Sequence, residues 1–102
     1  MRFIYSIKDV LAGFGSIPGV PMLLDLPNDD VAKRVVSDSC ANGAKPNALN
    51  THPEHKELWR LGKIDEETGV ITPLDPVCVA RAIDYIGVIS VKEKEGIEDE
   101  AN

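Results

Sequence analysis

The sequence predicts a small α+β domain: an antiparallel sheet of about four strands with one main helix and a shorter C-terminal helix packed on one face, followed by an acidic tail. Three observations carry this. Arg2 to Asp9 and Glu57 to Ile64 place apolar side chains at strand spacing, while Asn28 to Gly43 repeats apolar residues at helical spacing between capping residues. With 102 residues the chain has the length of one domain, not two. At this size folding hides only about two-thirds of the exposable surface, so a homodimer or a larger partner is a natural source of further stability.

Taken in order, Phe3, Tyr5 and Ile7 fall on one side of the first strand, with Ser6 and Lys8 on the other. Gly13, Gly15, Pro18, Gly19 and Pro21 then punctuate a loop, each supplying either a positive φ or a fixed one. The apolar run Val20 to Leu26 reads as a second strand, confined at its start to an edge by Pro21. Asn28 is the expected N-cap, and Asp29 and Asp30 in the first turn complement the helix dipole. Ala32, Val35, Val36, Ser39 and Cys40 share one helical face, and Asn42-Gly43 is the expected left-handed end. Lys45 to Asn50 is a polar connector.

In the strand Glu57 to Ile64, Trp59 and Leu61 oppose Leu58 and Ile64. Asp65 to Gly69 reads as a hairpin loop with Gly69 in the left-handed position, and Val70 to Leu74 as the returning strand. Asp75-Pro76 has the form of an N-cap followed by proline at the first helical position. Val79, Ala82, Ile83 and Ile86 continue at helical spacing toward Gly87, and Val88 to Val91 reads as a last short strand. The single domain is therefore drawn over 1–91, with 92–102 an acidic and disordered tail.

Charge narrows the function classes. The chain carries −6 overall; residues 1–90 hold 12 acidic and 9 basic side chains, for −3, and 91–102 hold 5 and 2, also −3. Nonspecific DNA binding draws on Lys and Arg neutralising phosphate, so this chain must concentrate its few cations or leave nucleic acid to a partner. The usable cations are Lys33 and Arg34 on the helix, Lys45 and Lys56 at loop edges, and Arg60 and Lys63 around Trp59. Tyr5, Trp59 and Tyr85 could stack on bases, although Trp59 reads first as a core residue. Arg34 stands four residues from both Asp30 and Asp38, which also fits a solvated ion-pair chain.

For other chemistry the residues offer little. His52-Pro53-Glu54-His55 is the one place for a metal or acid/base group, but it lacks further ligands, and Pro53 makes the segment extended or turning; it reads as a strand start. Asp65-Glu66-Glu67 is too short a loop for calcium and reads as a solvated turn. Cys40 and Cys78 stand apart and read as reduced, small apolar residues. No apolar run is long enough to cross a membrane, and Met1 to Ser6 lacks a signal-peptide core. No catalytic residue, metal or cofactor is expected.

The stretch Thr51 to Gly69 also resembles a known family. His52-Pro53-Glu54, Leu58, Leu61-Gly62, Asp65-Glu66 and Thr68-Gly69, preceded by Ala32, Arg34 and Asp38 on the helix, resemble the small nonstructural protein of gokushovirus-type Microviridae, tailless phages with circular single-stranded DNA. The resemblance covers residues 28–75 well and the first strand loosely, and it departs after Pro76. It implies a DNA-associated, nonenzymatic protein acting at the switch to single-strand synthesis and packaging, like protein C of the better-known Microviridae. It brings no catalytic residues, and its motif residues His52, Pro53, Glu54, Gly62, Asp65 and Gly69 read as structural.

The expected function is thus a phage replication accessory protein in the cytoplasm of the infected bacterium. It would work through host or phage replication proteins, with weak direct contact to single-stranded DNA at Lys33, Arg34, Trp59, Arg60 and Lys63. A scaffold or minor virion protein is the alternative. The tail, Lys92 to Asn102, would solubilise the chain, recruit partners or compete with phosphate for cations.

Overall fold

A computed structural model of the chain describes residues 1–86. Five strands form one antiparallel sheet: β1 (Arg2–Asp9), β2 (Gly13–Phe14), β3 (Leu24–Leu26), β4 (Lys56–Ile64) and β5 (Ile71–Arg81), with helix α1 (Asp29–Cys40) between β3 and β4. The main order is β2-β1-β4-β5, and β3 also pairs with β1. β2 and β3 share one side of β1: Phe14 sits opposite Lys8, and Leu24 to Leu26 sit opposite Tyr5 to Phe3.

Helix α1 begins as its sequence dictates. The Asn28 side chain, on extended backbone, accepts the Val31 N–H at 2.9 Å, and Asp29 and Asp30 occupy the first turn. Ala32, Val36 and Cys40, four residues apart, are its buried stripe, and they join Tyr5, Ile7, Leu58, Ala80 and Ala82 in the core. Ala at positions 32, 80 and 82 leaves room for the helix to lie close to the sheet. The C-terminus departs from expectation. The helix ends at Cys40 with Ala41 as its cap, its N–H donating to Asp38 O, and Gly43 takes its positive φ two residues later, in the turn closed by Ala44 N–H to Ala41 O.

The connector is more ordered than its polarity announces. The Asn47 carbonyl accepts the N–H groups of Leu49 and Asn50 at 2.9 and 3.0 Å, while its amide donates to Ser39 O and Lys45 O at 2.8 and 3.0 Å. One side chain uses its full hydrogen-bonding capacity to tie the helix end to this loop, and Leu49 drops into the core.

The expected C-terminal helix is corrected: β5 runs through Asp75-Pro76 to Arg81, and only Ala82–Tyr85 forms a short 3-10 turn. Pro73 and Pro76 are tolerated because β5 is an edge strand among the described residues and slips there. β4 advances from Arg60 to Gly62 while β5 advances from Val77 back to Pro73, leaving Leu74 to Pro76 as a bulge. The second expected strand, Val20 to Leu26, shrinks to Leu24–Leu26, and Gly13–Phe14 becomes a strand inside the expected loop. Among the described residues the antiparallel sheet thus has five strands where about four were expected, with one α-helix on it. Val88 to Val91 and the acidic tail lie outside the described residues.

Gly62 marks the tightest approach of β4 to β5. A Cβ there would stand 2.9 Å from Thr72 O, a backbone atom that cannot swing aside, and 3.6 Å from Pro73 Cα. Gly62→Ala is therefore expected to cost about 1–3 kcal/mol of stability by prising the strands apart. Chemical denaturation of the two proteins checks this, and equal midpoints would contradict the packing described.

Candidate nucleic-acid interface

The helix-covered face of the sheet is organised around one carboxylate. Asp29, in the first turn of α1, accepts the Tyr5 hydroxyl on Oδ1 at 2.7 Å and pairs through Oδ2 with Arg60 Nη1 at 2.6 Å. The Arg60 guanidinium also lies over the Phe3 ring, 5.6 Å from its centroid. β1 and β4 bring this about by pairing Tyr5 directly with Arg60 on the helix side. Tyr5 is fully buried; burial first, and then the hydrogen bond to the Asp29 carboxylate, push its phenol well above its ordinary value. Arg60 is thus committed to joining helix and sheet.

No helix covers the opposite face among the described residues. Trp59 follows Leu58 in β4, and since Leu58 is in the core, Trp59 points away from α1. It is half-buried, and its Nε1 donates to Glu57 Oε1 at 2.9 Å. The β1–β2 hairpin brings Phe14 edge-on to it, with ring centroids 5.9 Å apart at 86°. Lys8 Nζ lies 5.0 Å from the Trp59 centroid and 5.3 Å from that of Phe14. Arg81, across from Glu57, approaches it at 4.0 Å. Ser6, opposite Trp59, is fully buried, with a hydroxyl that finds no partner among the described residues. At the far end of this face Ile4, Leu61, Gly62 and Pro73 line an apolar hollow flanked by exposed Leu23 and Ile71.

The five residues expected to contact nucleic acid do not form one surface. Lys33 and Arg34 are exposed on α1, and neither pairs with Asp30 or Asp38 among the described residues. Arg60 lies between helix and sheet, and Lys63 is half-buried beside Phe3 and Thr72. Only Trp59 reaches the uncovered face. The partners it meets there, Lys8 and Phe14, escaped sequence reasoning, although Gly13 and Gly15 around Phe14 and the alternation of Ser6 with Lys8 carried the signal.

The remaining residues singled out in the sequence sit in two turns and at the start of β4. His52 adopts a left-handed φ of 51° and Pro53–His55 form one 3-10 turn. Both imidazoles flank Glu54, with Nδ1 atoms 3.6 and 4.0 Å from Oε1, and the two rings stack 6.3 Å apart. A hydrogen bond from its own backbone N–H, and then the two imidazoles, hold Glu54 below its usual range. No group of three or more His, Cys, Asp or Glu among the described residues could hold a metal. Asp65 Oδ1 caps its own turn, accepting the Glu67 N–H at 2.9 Å, and Gly69, at φ 76°, donates to Asp65 O. Both cysteines are free, and burial raises both thiols. No described helix is long and apolar enough to cross a membrane.

A family model described as Phage ORF5 protein matches residues 2–85, from the start of β1 into the final turn. No curated protein and no solved structure matches the chain.

The Tyr5–Asp29 bond has a pH signature. A folded phenol raised above its unfolded value of about 10 keeps its proton where the unfolded chain releases one. Its contribution to stability is full below that pH and is lost as pH climbs toward the folded value. Tyr5→Phe should cost about 1 kcal/mol at neutral pH and flatten the alkaline decline between pH 9 and 11. Denaturation at a series of pH values checks this; parallel curves would contradict the assigned bond.

Proposed function

The chain belongs to the Phage ORF5 protein family, and from that premise we propose that it is a nonenzymatic accessory protein of viral DNA replication in a gokushovirus-type member of the Microviridae. On this reading it acts in the cytoplasm of the infected bacterium at the switch to single-strand synthesis. It contacts single-stranded DNA weakly and depends on replication proteins of phage or host for the rest of its affinity. The observation that supports this best is the Lys8–Phe14–Trp59 group on the uncovered sheet face. Aromatic rings beside a cation on a sheet are what successive bases stack on, each stacked base contributing about 1–3 kcal/mol. With few cations and a charge of −6, such binding must be weak and sensitive to salt.

A second reading, a scaffold or minor virion protein, draws on the apolar hollow at Ile4, Leu61 and Pro73 with Leu23 and Ile71 beside it. A second copy of the chain would cover such a patch, and a homodimer fits either reading.

Trp59 is the single tryptophan and so reports its own occupancy. Titration with an oligo-dT should quench its fluorescence at low salt and markedly less at about 150 mM. Lys8→Ala and Phe14→Ala should each weaken binding about fivefold or more, while Lys33→Ala with Arg34→Ala should change little. No quenching at low salt, or loss confined to the helix variants, would remove the sheet-face reading. Purified virions should contain only traces of the protein by mass spectrometry; stoichiometric amounts would favour the assembly reading.

A further inference from the structure

Lys56 is the one buried lysine among the described residues, at 7% exposure. Its Nζ donates to Thr51 O at 2.8 Å, while Asp9 Oδ2 stands at 3.9 Å, beyond hydrogen-bond distance. An ammonium carries three N–H donors, and burying one with only part of them satisfied is costly. Asp9 is similarly half-used. Its Oδ1 accepts the Leu11 N–H at 2.9 Å, and its Oδ2 has no hydrogen-bond partner among the described residues.

Both groups line a cleft of about 330 Å³ between the loop carrying Ile17, Pro18 and Val20 and the connector carrying Ala48 and Thr51. The cleft therefore offers apolar walls with a donor and an acceptor side by side at its edge. Asn47, which also lines it, has its side-chain amide fully engaged.

A paired ammonium and carboxylate are close to neutral together, which disfavours a bare phosphate. They match instead a flat, weakly polar group with an acceptor beside a donor. We propose that this cleft takes one unstacked nucleobase of single-stranded DNA, with guanine favoured. Guanine turns O6 toward Lys56 Nζ and its adjacent N1–H and N2–H donors toward Asp9 Oδ2, while Ile17, Pro18, Val20 and Ala48 enclose the ring. The inference rests on the reading of the protein as a single-strand binder and adds its base preference. Position supports it: Lys8 and Asp9 are consecutive in β1, so the stacking group and the cleft share one end of the sheet on opposite faces. A strand lying across Trp59 could turn one base around this corner.

The test uses the full chain and mononucleotides, which are too small to bridge the two sites. Titration of isotope-labelled protein with dGMP should shift the amides of Asp9, Ala48, Thr51 and Lys56. TMP, with one donor flanked by two acceptors, should bind about tenfold or more weakly. Lys56→Met should abolish the dGMP shifts. Because that variant strips Thr51 O of its buried donor and Asp9 of its countercharge and could unfold, Ala48→Phe, which fills the cleft from a loop, should abolish them as well. Equal response to all four mononucleotides, or shifts elsewhere, would overturn the proposal. The two ideas separate cleanly: oligo-dT quenching of Trp59 with no dGMP shifts sinks the cleft and spares the sheet face, and the converse result does the reverse.

Discussion

The carboxylate of Asp29 joins the helix to the sheet, bonding Tyr5 through one oxygen and Arg60 through the other. It belongs at once to the first turn of α1, where the helix dipole favours a negative charge, and to the sheet, where Tyr5 and Arg60 converge on it from adjacent strands. That double membership fixes which face of the sheet the helix covers and anchors its N-terminus over the β1–β4 pair. The apolar stripe of Ala32, Val36 and Cys40 is then laid against Tyr5, Ile7 and Leu58. Without the polar anchor, apolar burial alone would constrain the helix direction weakly, because hydrophobic contact is not directional.

The consequence for function is a division of labour between faces. One face is occupied by the helix and uses Arg60 internally; the other keeps Trp59, Phe14 and Lys8. An acidic protein that commits one of its arginines to an ion pair between its own helix and sheet has little charge left for phosphate. Any contact it makes with nucleic acid must therefore draw on stacking and base edges more than on counterion release.

Local chemistry was legible in the sequence wherever it was decided locally. Asn28 capped the helix as read, Asp65 to Gly69 closed the hairpin, and Leu58 and Trp59 parted to opposite faces. The misreadings arose where a local signal has two meanings. Asp75-Pro76 has the form of a helix start, yet the same pair fits a bulge on an edge strand, and pairing with β4 chose the second. Arg60 looked available for phosphate because its partner lies 31 residues away. Lys56 looked like a surface cation because nothing nearby announces that Thr51 and Asp9 enclose it. Phe14 was hidden in a glycine-rich loop whose short strand only the sheet reveals. In each case the deciding contact is between residues far apart in the chain or in a register that local periodicity does not encode.

On the proposed reading the sheet face bearing Trp59 and Phe14, not the helix with its exposed Lys33 and Arg34, meets single-stranded DNA. Photo-cross-linking of the protein to an oligonucleotide carrying bromodeoxyuridine, followed by mass mapping of the adducts, tests it most directly. Adducts are expected on the peptides bearing Phe14 and Trp59. Adducts confined to Asp29–Cys40 would contradict it.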